Sequence, residues 1–180
     1  LTLKDEVLGE FEEKKSDFLS YLVPNADFKT RLAELRDLHP KANHHVTAFR
    51  YFNAEEQIVE GSSDDGEPKG TSGVPTLKTL IGANLIDVGI ITVRYFGGTK
   101  LGTGGLARAY AGSANAAINE ARQQGLLKPW VRLVHKQLRA SFDKSSALER
   151  EIASNGWRVL DRAFDDAGVV ISVEIQELPD

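Results

Sequence analysis

A glycine-rich segment carries the clearest chemical signal in the sequence. Residues 97–105 hold five glycines between a β-branched run and an alanine-rich stretch with helical periodicity. The first N–H groups of a helix lack partners within the helix, and with the helix dipole they attract anions. The segment therefore predicts an anion site, with RNA phosphate as one candidate. The residues assigned to this site are Arg94, Gly97, Gly98, Lys100, Gly102, Gly104, Gly105 and Arg108.

A structural interpretation of the same segment stays open. The glycines can simply allow close packing between a strand and a helix, while Arg94 pairs with a nearby carboxylate. Two known phosphate loops do not explain the pattern. A P-loop needs lysine where this sequence has Thr103, and a dinucleotide fingerprint needs a tighter turn than the five residues between Phe96 and Gly102.

An acidic loop, residues 63–73, is the second candidate. Paired carboxylates can perform acid–base chemistry or hold Mg²⁺, but side chains of this type also bind backbone amides in turns. Adjacent histidines in a strand point to opposite faces, which argues against a shared metal. The residues singled out are His44, His45, Asp64, Asp65, Gly66 and Glu67, and we assign none of them as catalytic or as a metal ligand.

Alternating strands and helices must position these loops. The first 23 residues predict a hairpin, and a nearly continuous apolar run over 86–96 predicts a strand buried on both faces. Leu106, Tyr110 and Ala114 lie on one stripe of a predicted helix. The other predicted elements are helices 26–38, 75–83 and 104–122, strands 46–52 and 56–61, and then a β-α-β-β series with strands 131–141, 157–164 and 169–177 and a helix after Asp143.

Composition limits the classes of function. The net charge of −4 excludes a globally basic nucleic-acid coat but permits a local basic patch. The chain has no cysteine, which excludes a disulfide scaffold and favours a reducing compartment, so we expect a cytoplasmic protein. No apolar stretch approaches the length of a membrane span, and no motif indicates a cofactor.

Three segments together resemble the IMPACT/YigZ family. They are "HPKANHHVTAFR" (39–50), "SDDGEPKGTSGVPTLKTL" (63–80) and "VRYFGGTKLGTGGLARAY" (93–110), which share their order and separation with that family. The position after the histidine pair, cysteine-like in the family, is Val46 here.

The resemblance implies an α+β fold in two domains. Residues 1–127 are expected to be similar to the second domain of ribosomal protein S5, and 128–180 to a ferredoxin-like domain, the fifth of the translocase elongation factors. The family pattern continues with another helix and strand, whereas this chain ends at Asp180, which suggests a short variant or a missing tail.

The resemblance also implies a function without naming catalytic residues. Eukaryotic members act in translational control, and bacterial members resemble ribosome- or RNA-associated proteins. The expected function is therefore binding of RNA, the ribosome or a translation-related protein through residues 97–105. The alternatives are an enzyme acting on a phosphorylated small molecule, which requires loops 63–73 and 97–105 to form one pocket, and a protein–protein adaptor.

Overall fold

The computed structural model describes residues 1–177 and divides the chain into two compact units, Leu1–Pro129 and Trp130–Asp180. Residues 178–180, the end of the expected second domain, lie outside the described part. Both units combine strands and helices, which confirms the mixed α and β character expected from the sequence.

A five-stranded antiparallel sheet forms the centre of the first unit, in the order β2-β3-β6-β4-β5. The central strand β6 is buried along almost its whole length, as its apolar sequence predicts. A separate two-stranded ribbon, β1 with β7, was not predicted. The strands are β1 (Thr2–Leu3), β2 (Val7–Glu13), β3 (Ser16–Pro24), β4 (His44–Phe52), β5 (Ile58–Ser63), β6 (Val88–Tyr95) and β7 (Leu127–Lys128).

Helices cover both faces of this sheet. Helix α1 (Phe28–Leu38) packs on one face through Leu35 against Ile91 and Val93. Helices α2 (Gly73–Gly82) and α3 (Gly102–Gln123) cover the other face. The predicted stripe of α3 is buried throughout, because its small residues allow the helix to approach the sheet. The buried residues include Leu106, Ala109, Tyr110, Ala114, Ala117 and Ala121.

The second unit contains the predicted β-α-β-β series. Its elements are β8 (Arg132–Ala140), α4 (Ser145–Asn155), β9 (Arg158–Asp165) and β10 (Gly168–Glu177). Strand β10 lies between β8 and β9 and is antiparallel to both, so β8 and β9 run parallel with one strand between them. Ile152 of α4 packs on Ile171 and Val173 of β10.

Within residues 1–177, none of the helices combines the length and the apolarity that a bilayer span demands.

The approach of α3 to the sheet makes a prediction at Gly9 of β2. A Cβ atom added there would lie 2.2 Å from the backbone nitrogen of Ala117, and backbone cannot yield as a side-chain tip does. We expect Gly9→Ala to lower the free energy of unfolding, measured in urea, by about 3 kcal/mol. Gly82→Ala, at a helical position with open space, is the control and should change stability by less than about 1 kcal/mol. Equal effects would show that α3 does not pack tightly on β2.

Candidate anion site

The candidate residues lie at one end of the central strand, where β6 ends and the chain leads into α3. His44 of β4 lies directly opposite Arg94 of β6 in the antiparallel register. Both occupy the sheet face that α3 covers, while His45 occupies the opposite face with Val93. The expectation that the two histidines point apart is met by this alternation.

Arg94 forms a buried ion pair with Glu67. Its Nη1 atom donates to both carboxylate oxygens of Glu67 at 2.8 Å, and only a few per cent of either side chain is exposed. Its Nη2 atom donates to the hydroxyl of buried Ser16 at 3.3 Å. Of the two interpretations left open for Arg94, pairing with a nearby carboxylate is therefore what the geometry shows.

Tyr110 of α3 lies behind this ion pair and is fully buried. Burial raises the pKa of the Tyr110 hydroxyl, and the negative charge of Glu67 raises it further. The hydroxyl makes no hydrogen bond of standard geometry among the described residues. The Tyr110 hydroxyl therefore stays protonated and uncharged beside the ion pair.

His44 contacts Glu67 from a second side. Its Nε2 atom lies 2.6 Å from Oε1 of Glu67, and its Nδ1 atom lies 2.8 Å from the carbonyl oxygen of Asp65. A carbonyl oxygen only accepts, so Nδ1 carries a proton. The contact at Nε2 joins the same ring to the carboxylate that Arg94 binds. Loop 63–73 is thus fixed to the sheet at two points.

The other two carboxylates of the loop bind backbone amides. Asp64 accepts hydrogen bonds from the N–H groups of Gly70, Ser72 and Gly73, at the start of α2. Burial alone would raise the pKa of the Asp64 carboxyl, but these three donors outweigh burial and lower it. This is the turn-capping alternative considered for the sequence, and it accounts for Asp64 without acid–base chemistry.

Asp65 connects the start of β4, at His44 and His45, to Arg36 of α1. Its carboxylate accepts the N–H of His45 at 2.7 Å and a weaker bond from Arg36 at 3.3 Å. Burial opposes ionisation here as well, yet these donors lower the pKa of Asp65. Burial also lowers the pKa of His45, and the charge of Arg36 adds to that effect. Gly66 follows with a φ of 88°, which lets the loop turn towards His44.

The start of α3 is the part of the chain for which the sequence predicts an anion site. No side chain caps this helix, and its first turn carries no acidic residue. Lys100 and Arg108 are both exposed, and the Arg108 guanidinium lies near Gly104 of the first turn. Gly98 and Gly102 have φ values of 89° and 75°, so the approach to the helix depends on left-handed backbone that other residues disfavour.

Gly97 has a different role, which is close approach. A Cβ atom there would lie 2.1 Å from the backbone of Lys15, at the turn of the β2–β3 hairpin. The Gly97 N–H also donates to Ser16 at 3.3 Å. The loop before α3 therefore rests directly on the hairpin. Gly105 lies inside the first turn, where an added Cβ would contact Leu101.

A cavity of about 430 Å³ joins the two candidate loops. Glu67 and Pro68 line it from the acidic loop, and Lys100, Gly102 and Thr103 line it from the glycine-rich segment. The condition for one shared pocket is thereby fulfilled. The remaining lining residues are Asn43, His44, Arg94, Phe96, Leu101 and Leu106.

Several residues of the site gave no signal in the sequence. Asn43 accepts the N–H of Phe96 at 2.8 Å and so fixes the first residue of the loop. Lys14 lines a second cavity of about 180 Å³ beside Arg108 and Glu13. The adjacent Lys14 and Lys15 both have positive φ, where a turn usually places asparagine or glycine. Lys15 lies against Gly97, a tertiary contact that the sequence does not indicate.

Comparison with known proteins identifies relatives of this chain. The Impact N-terminal domain matches residues 14–118. An IMPACT family member of Haemophilus influenzae is 40% identical over 121 residues, covering 66% of this chain and 59% of that protein. The IMPACT family member YigZ of Escherichia coli is 39% identical over 116 residues, covering 63% of this chain and 57% of that protein. The aligned part thus spans less than two thirds of either relative.

A solved structure is similar over almost the whole chain. It is a crystal structure described as that of a hypothetical protein, 29% identical with a TM-score of 0.64. The similarity covers 97% of this chain and 84% of the other.

The buried ion pair predicts a large cost for changing one partner. Glu67→Gln leaves the buried Arg94 cation uncompensated, so we expect the free energy of unfolding to fall by about 3 kcal/mol. Glu34→Gln is the control, because the pair that Glu34 forms with Arg31 is half exposed and should contribute at most about 1 kcal/mol. Urea denaturation of both variants measures the difference. A loss for Glu67→Gln as small as that of the control would contradict a structural role for the pair.

Proposed function

Because this chain belongs to the IMPACT family, we propose that it is a translation-associated protein that binds RNA, free or on the ribosome, through the start of α3. The observation that carries this proposal is the uncapped N-terminus of a 22-residue helix between two exposed cations, Lys100 and Arg108. Free amides, a helix dipole and side-chain cations together favour a phosphate.

The internal ion pair defines which groups are available for RNA. Arg94 is neutralised by Glu67 inside the protein, so it positions the loop rather than binding phosphate. Lys100 lines the 430 Å³ cavity and Arg108 lines the 180 Å³ cavity, and Leu101 lines both. The two cations therefore lie on different sides of the first turn of α3. Binding groups on both sides of the turn suit a phosphodiester chain that passes across it.

The β2–β3 hairpin extends the basic surface. Lys14 lines the same cavity as Arg108, and Lys15 lies against Gly97. Glu13 lines that cavity too and reduces its positive charge. On a chain with a net charge of −4, a local group of four cations is the kind of patch that directs an acidic polymer to one place.

The two finer fold assignments belong to the same proposal. We infer that the first unit is related to the second domain of ribosomal protein S5. The second unit is inferred to be ferredoxin-like, supported by the position of β10 between the parallel strands β8 and β9. Both relationships fit a protein that works with the translation machinery, in the cytoplasm.

An enzyme acting on a phosphorylated small molecule is the second candidate. The observation in its favour is that Glu67 and Lys100 line one cavity. Its weakness is the shortage of an available carboxylate, because Asp64 and Asp65 bind backbone amides and Glu67 is paired with Arg94. An enzyme would convert a phosphorylated ligand to product, whereas a binding protein would return it unchanged.

A protein–protein adaptor would bind a protein partner after nuclease treatment and at high salt.

Removing the two cations beside α3 tests the proposed function. In Lys100→Ala/Arg108→Ala, we expect weaker binding to single-stranded RNA. The slope of log K against log salt should become shallower by about 1.4, because each neutralised phosphate contributes about 0.7. Fluorescence anisotropy across a salt series measures both quantities, and co-sedimentation with ribosomes extends the test.

The control variant is Lys4→Ala/Arg122→Ala. It removes the same charge near the other end of α3, where the Lys4 N–H binds Leu126 and Arg122 lies in the last turn. This variant should retain the wild-type slope. Identical affinity and slope in the Lys100→Ala/Arg108→Ala variant and the wild type would refute the proposed site.

A further inference from the structure

Phe96 is a large aromatic residue whose side chain is exposed to solvent. It is 46% exposed and lines the 430 Å³ cavity together with Lys100, Gly102 and Thr103. Exposed aromatic rings beside cations are the surfaces on which nucleic-acid bases stack. Leu101 and Leu106 add apolar wall to the same cavity.

Phe96 is held in place through both its ring and its backbone. The Arg94 guanidinium lies 5.6 Å from the centroid of Phe96 and the same distance from the centroid of buried Phe18. The Phe96 N–H donates to the side-chain oxygen of Asn43. Because Glu67 fixes Arg94, the ring rests on a rigid support, which reduces the entropy lost when a ligand stacks on it.

Polar residues contribute to the same cavity as this apolar wall. Asn43 and Arg94 both line it. Arg94 is only 5% exposed and its Nη atoms bind Glu67 and Ser16, so it serves as a fixed support for the ring. The side-chain oxygen of Asn43 accepts the Phe96 N–H.

We propose that this cavity binds one nucleotide, with its phosphate at the first turn of α3 and Lys100 and its base on Phe96. The cavity volume lies in the range of roughly 300–1,000 Å³ that is usual for small-molecule sites. This inference rests on the proposed function and adds the class of ligand group that the site selects. The nucleotide can be the end of an RNA strand or a free mononucleotide, since both present a base and a phosphate.

Substitution at Phe96 separates stacking from charge. In Phe96→Leu, we expect a uridine pentamer with a 5′-phosphate to bind about tenfold more weakly, with the slope against log salt unchanged. Phe96→Tyr keeps the ring and should bind like the wild type. Phe164→Leu, at an aromatic residue 70% exposed in the second unit, is the matched control and should also bind like the wild type.

Competing ligands identify the source of the nucleotide. Displacement of the pentamer by adenosine monophosphate at concentrations where inorganic phosphate is inactive supports a mononucleotide site. Binding of the 5′-phosphorylated pentamer in preference to its 5′-hydroxyl form, without displacement by the mononucleotide, supports an RNA end. Equal competition by inorganic phosphate and adenosine monophosphate would overturn the inference.

The two proposals fail differently. Wild-type binding by Phe96→Leu, together with weakened binding by Lys100→Ala/Arg108→Ala, would overturn the base-stacking inference and leave phosphate binding in place. Wild-type binding by both variants would overturn the proposed function itself. Thermal melting of each variant confirms that it is folded before binding is compared.

Discussion

The buried ion pair between Arg94 and Glu67 is the contact on which the arrangement of this site depends. It joins the end of the central strand to a loop 27 residues earlier in the chain, and both residues line the cavity beside the first turn of α3. A buried charge is tolerated only with a close partner. Removal of either residue would therefore leave the other as an uncompensated buried charge. His44 adds a second contact to the same carboxylate. The cavity wall is therefore rigid before any ligand arrives.

Close packing of backbone produces the second feature of the site, an exposed helix start. Gly9 lets α3 lie against β2, and Gly97 lets the loop before α3 rest on the β2–β3 turn. These contacts hold the start of the helix beside the cavity, which Gly102 and Thr103 line. Close packing is therefore shown for Gly97 of the glycine-rich segment, and it leaves room for the predicted anion binding at the same segment.

The sequence predicts the elements of this fold better than it predicts the partners within the site. The apolar run of β6 and the small-residue stripe of α3 follow from local periodicity, and both are confirmed. The pairing of Arg94 with Glu67 depends on tertiary structure, because no spacing rule connects a loop residue to a strand end. Phe96 was missed for a related reason: an aromatic residue at the end of an apolar strand resembles core, and only the structure shows it exposed.

Amide NMR of the isotopically labelled full chain, titrated with the 5′-phosphorylated pentamer, tests most directly whether the start of α3 receives the phosphate. The largest shift changes should occur at Gly102, Thr103, Gly104 and Gly105, saturate together and diminish as salt is added. Unchanged amides at these four positions, with the changes concentrated around Lys4 and Arg122 or in the second unit, would contradict that assignment.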